Sequence, residues 1–85
     1  MDAEELAAEL RKQYDNASRN ESACQIHLFG IRYARELQSC GVPLKRILEL
    51  SGVSMGYLSE VSKGIKLARY VRLREPEEME EDSRP

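Results

Sequence analysis

Residues 43–64 read PLKRILELSGVSMGYLSEVSKG, and how they fold decides how the rest of the chain is arranged. Leu44, Ile47 and Leu48 recur at the spacing of one helical face, and Leu50 is assigned to the same inward set. Lys45, Arg46 and Glu49 point the other way. Pro43 suits the first position of this helix, where a missing N–H costs nothing. A tight turn follows at Ser51-Gly52-Val53. Gly52 supplies a positive φ, and Val53 plugs the angle between two helices. Ser54 caps a second short helix whose inward residues are Tyr57, Leu58 and Val61, and Gly64 closes it.

Upstream, a first helix is expected over residues 3–14. Asp2 and Glu5 stand at capping-box spacing, Glu4 and Glu5 fill the first turn, and Arg11 and Lys12 fill the last. Leu6, Leu10 and Tyr14, with Ala3 and Ala7, make a narrow apolar stripe that packs either on the core or against a second copy. The polar run DNASRNE (15–21) reads as a linker. A second helix is expected over residues 23–39, with Ser22 and Gln25 again at capping-box spacing. Ile26, Phe29, Gly30, Tyr33, Ala34 and Leu37 form its inward face. Gly30 lowers helix propensity there, which is offset if another helix approaches closely. Gly41 suits the left-handed residue that ends this helix.

Downstream, IKLARYVRLR (65–74) is expected to be a short turn or helix passing into an extended segment. EPEEMEEDSRP (75–85) has the composition of a disordered acidic tail. The sequence therefore specifies an all-α fold, a compact bundle of four to five short helices. One domain is expected over residues 1–74, made of an N-terminal amphipathic helix (1–14), a core helix (22–40), the helix–turn–helix unit (43–64) and a basic extension (65–74).

With 85 residues, no Trp and one Phe, the core must rest on aliphatic side chains and Tyr. No apolar run approaches the roughly 20 residues that cross a bilayer, and the acidic N-terminus does not resemble a secretory signal. Cys24 and Cys40 then read as reduced thiols of a cytoplasmic protein. The net charge of −2 conceals a segregated pattern: −3 over residues 1–22, +6 over 23–74 and −5 over 75–85. A basic centre between acidic ends sets the local field that a polyanion meets.

Catalytic constellations are missing from the sequence. His27 is the sole histidine and sits beside the apolar face of the second helix, where a structural role is expected. Cys24 and His27 lack further ligands for a metal. The glycines are scattered rather than gathered in a phosphate-binding loop. No enzyme, cofactor, metal or small-molecule substrate is expected.

Leu44, Ile47, Leu48, then Gly52-Val53-Ser54, Tyr57-Leu58-Ser59 and Lys63-Gly64, resemble the helix-turn-helix of the Cro/C1-type (phage-repressor-like) family. Leu48 stands where that pattern usually has a small Ala. More broadly, the chain resembles small bacterial helix-turn-helix-like proteins. A helix of this kind fits a major groove about 12 Å wide and presents its N-terminal outward residues to base edges. Those residues are Met55, Gly56, Ser59 and Glu60, with Lys63 at the far end. Lys45, Arg46, Lys66, Arg69, Arg72 and Arg74 are the candidates for phosphate contacts. The expected function is a DNA-binding transcriptional regulator acting on double-stranded DNA as a homodimer. The alternative is a protein-binding module on the same scaffold, an antiactivator or an adaptor that binds a regulator.

Overall fold

A computed structural model describes residues 1–74, and the acidic tail expected over 75–85 lies outside the described residues. Every regular element among the described residues is helical: α1 (Ala3–Asp15), α2 (Ser22–Arg32), α3 (Ala34–Ser39), α4 (Leu44–Ser51) and α5 (Leu58–Leu67). A 3-10 turn over Met55–Tyr57 leads into α5. None of these helices is long and apolar enough to cross a membrane.

The start of α1 follows its capping box. Glu5 N–H donates to Asp2 Oδ1 at 2.8 Å, and Asp2 N–H donates to Glu5 Oε1 at 3.0 Å. Leu6, Ala7 and Leu10 are buried in the common core. The stripe offered to a second copy is therefore filled from within the chain. Two further contacts bring α1 to the central unit. The Arg11 guanidinium donates to the Gly52 carbonyl at 3.4 Å, and the Tyr14 and Tyr57 rings meet edge-on at 5.7 Å.

Three expectations for the second helix need correction. Glu21 rather than Ser22 holds the cap position of α2, and no side chain caps it. Gln25 instead accepts from the Gln13 amide at 2.5 Å, tying α2 to α1. The expected continuous helix bends at Tyr33 (φ −108°, ψ 19°) into α2 and α3. The hydrogen-bond thread survives the bend, since Tyr33 N–H reaches Phe29 O at 3.0 Å and Leu37 N–H reaches Tyr33 O at 2.8 Å. Tyr33 is also the residue held from two sides. Its ring packs on Phe29 at 5.1 Å, and the charge of Glu9 on α1 acts on its hydroxyl.

Gly41 ends α3 with φ 77°, as its position suggests. Pro43 precedes α4 as its cap rather than occupying its first turn. Ile47 and Leu48 are fully buried and Val53 nearly so. Leu50, expected inside, is 41% exposed. The inward stripe of α4 passes through Ile47, Leu48 and Ser51, so Leu50 falls off it.

Gly52 takes φ 76°, and its N–H bonds the Leu48 and Glu49 carbonyls. Ser51 braces the same turn: its hydroxyl donates to Leu48 O at 2.7 Å and accepts from Val53 N–H at 3.0 Å. Past the turn, the Ser54 hydroxyl accepts from Gly56 N–H at 3.2 Å.

Backbone meets backbone where α2 and α5 cross. A Cβ on Gly30 would stand 2.5 Å from the Val61 carbonyl oxygen and 3.0 Å from Gly64 Cα. A Cβ on Gly64 would stand 2.9 Å from Gly30 Cα. The close approach expected at Gly30 is present, and Gly64 is its partner. Gly64 does not close the helix, because α5 continues to Leu67. Turns follow through Tyr70, and residues 71–74 carry no regular structure.

Candidate nucleic-acid interface

α5 presents one face to the core and the opposite face to solvent. Val61 and Gly64 point in. Ser59, Lys63 and Lys66 recur at 4 and 3 residues and are all exposed. Met55 and Gly56 lie exposed at the tip that precedes this face, on the 3-10 turn. Gly56 has open space before it, since a Cβ there would meet only the Ser54 hydroxyl, at 3.4 Å.

Glu60 is placed differently from its neighbours. Its carboxylate turns toward α2, with Oε2 2.8 Å from His27 Nε2 and 3.9 Å from Lys63 Nζ. The contact with His27 has the length of an ion pair, but its direction is not that of a hydrogen bond. The one carboxylate of α5 is thus drawn to the flank of the helix, and the outward stripe itself carries Ser and Lys.

The other basic candidates fall into separate groups. Lys45 and Arg46 are exposed in the first turn of α4, where Arg46 lies 3.7 Å from Glu49. Arg69 and Arg72 face a groove between α2–α3 and the segment after α5. Arg74 is exposed at the end of the described chain.

Two features of this surface are not carried by the sequence pattern. Tyr70, 81% exposed, stands in the turns that follow α5. Its hydroxyl is available to a phosphate oxygen, a contact type common on DNA backbones. Arg32 and Arg35, at first sight ordinary solvated cations, share the groove with Arg69. Burial, and next the Glu9 carboxylate, hold the Tyr33 phenol above its ordinary 10.0. Among the described residues, no His, Cys, Asp and Glu side chains gather in a group able to hold a metal ion.

No curated protein and no solved structure matches the chain. Residues 2–74, which span α1 through the segment after α5, match the family described as an HTH-like domain. That match is to helix-turn-helix proteins in general and not to the Cro/C1 type in particular. A capped helix α4, a left-handed Gly52, a buried Val53 and an outward-facing α5 are the parts of such a module, and the chain belongs to the HTH-like domain family.

Proposed function

We propose that the chain is a small cytoplasmic DNA-binding transcriptional regulator, a binding module without enzymatic activity, that works on duplex DNA as a homodimer. The observation that carries this reading is the exposed Ser59–Lys63–Lys66 stripe of α5, with the helix's only carboxylate drawn aside to His27. Met55, Gly56, Ser59 and Lys63 face base edges, and Glu60 flanks them. Met55 suits a thymine methyl, and Ser59 donates or accepts. Lys45, Arg46, Lys66, Arg69, Arg72 and Arg74 are the phosphate-binding set, which makes affinity steeply salt-dependent. One short reading helix gives limited specificity, and two-fold pairing on a palindromic site supplies the rest.

A mobility-shift assay with mixed-sequence duplex at about 50 mM salt, followed by a salt series, tests the reading. A shift that weakens steeply with salt, and is lost in Lys63→Glu, supports it. No shift at low salt overturns it.

A second reading is favoured by one observation. Leu50, Met55, Leu67, Tyr70 and Val71 are large apolar side chains exposed on the helix-turn-helix and its extension. A protein-binding module, an antiactivator or an adaptor that holds a regulator, would cover them. In that case random duplex stays unshifted while a protein partner protects these side chains.

A further inference from the structure

The groove between α2–α3 and the segment after α5 has a volume of about 560 Å³. None of Ser59, Lys63 and Lys66 lines it. Arg32, Arg35, Arg69 and Arg72 stand around it, with Glu36 as the one carboxylate among the described residues, and Ile31, Ile65 and Leu73 contribute half-buried apolar surface. Among the described residues, no carboxylate forms an ion pair with Arg32, Arg35 or Arg69.

We propose that this groove docks an acidic segment of a partner protein that carries apolar side chains between its carboxylates. Four guanidinium groups share one depression with a single carboxylate of the described lining, so the groove is net positive and favours an anion. Their forked N–H groups match carboxylates in a two-point geometry. The apolar surface decides between anions. A phosphodiester backbone brings charge but nothing to cover Ile31, Ile65 and Leu73, so nucleic acid satisfies half of the site. The chain's own residues 75–85 bring six acids, but Met79 is their one large apolar side chain, the prolines aside. A partner segment with several apolar residues satisfies both halves.

The test uses the full chain and fluorescence anisotropy with a labelled synthetic peptide repeating Glu-Glu-Leu. Controls are an all-Glu peptide, a Lys-Lys-Leu peptide and mixed-sequence duplex. Saturable binding of the Glu-Glu-Leu peptide is expected, weakened roughly tenfold by Arg35→Glu and by Arg69→Glu and left unchanged by Lys63→Glu. The all-Glu peptide is expected to bind roughly tenfold more weakly, and the Lys-Lys-Leu peptide not at all. All three variants change exposed residues, and circular dichroism verifies their helix content.

Equal binding of the all-Glu peptide overturns the proposal. So does indifference to both Arg reversals. Duplex binding lost in Arg35→Glu and Arg69→Glu, with no peptide binding, assigns the groove to nucleic acid and overturns it as well. Peptide binding that appears only when Glu77, Glu78, Glu80 and Glu81 are changed to Gln assigns the groove to the chain's own acidic segment, with the same consequence. Failure of the DNA reading leaves the peptide arm untouched, because that reading is tested at Lys63 and at low salt.

Discussion

His27 on α2 and Glu60 on α5 approach to 2.8 Å, and this contact keeps a carboxylate off the outward face of α5. The pair is partly solvated, with side chains 33% and 24% exposed, so its contribution to stability is under about 1 kcal/mol. On the DNA-binding function proposed above, its effect on binding is larger. His27→Ala releases Glu60 beside Ser59 and Lys63, where it faces phosphate or base edges. Duplex affinity is expected to fall severalfold while the thermal midpoint moves by only a few degrees. In His27→Ala/Glu60→Gln, affinity is expected to return, which anisotropy with labelled duplex measures directly. A double variant as weak as the single one sinks the idea.

The crossing of α2 and α5 has no room for a methyl group. Gly64→Ala places a Cβ against the His27 carbonyl and 2.9 Å from Gly30 Cα. Backbone cannot swing aside as a long side chain can. The helices must separate, at about 1–3 kcal/mol, the usual range for overpacking. Urea denaturation followed by circular dichroism should show the loss, and Gly30→Ala should behave alike. An unchanged midpoint in both variants contradicts the geometry.

Ser51 is a buried polar residue whose hydroxyl joins Leu48 O to Val53 N–H. Ser51→Ala removes the acceptor and leaves the Val53 N–H unpaired in the turn. The expected loss is about 1–3 kcal/mol, read as a lower denaturant midpoint. Gly52→Ala, which forces a side chain into φ 76°, is expected to cost about 1–2 kcal/mol in the same assay.

The Tyr33 phenol has its pKa raised by burial and by Glu9. The neutral form is therefore favoured in the folded state, and its stabilising contribution is complete below the unfolded value of 10.0. As pH rises past that value the unfolded chain gives up its proton more readily, and stability falls until the folded group also ionises. Denaturant midpoints between about pH 9 and about pH 11 should decline more steeply in the natural chain than in Tyr33→Phe. Parallel declines contradict the assignment.

Much of the scaffold was written in local chemistry. Asp2 with Glu5, Gly41, Gly52 and Ser54 each act within a few residues of themselves, and each is found in the conformation its position suggests. The bend at Tyr33 was not legible, because the apolar spacing of Ile26, Phe29, Tyr33 and Leu37 runs through it without a break. Leu50 misled because leucine marks burial only where the stripe passes, and Ser51 takes the inward place. Gly64 resembles a terminator as much as a crossing point, and only the partner glycine on α2 distinguishes the two. Exposure of Ser59 and Lys63 followed from periodicity, whereas Lys66 joined their stripe only because α5 runs past Gly64. The turning of Glu60 to His27, and the meeting of Arg32 and Arg35 with Arg69, join residues far apart in the chain, and no spacing rule reaches them.

Because α5 rests on α2 through glycine and main chain at its closest point, no side chain there can repack when the outer face changes. Seat and tool are mechanically independent. Replacing Met55, Ser59, Lys63 or Lys66 alters what the helix touches without altering where it lies. The module is thus built like a fixed chuck that accepts different bits, and if α5 recognises DNA as proposed, its recognition can be changed a few exposed positions at a time.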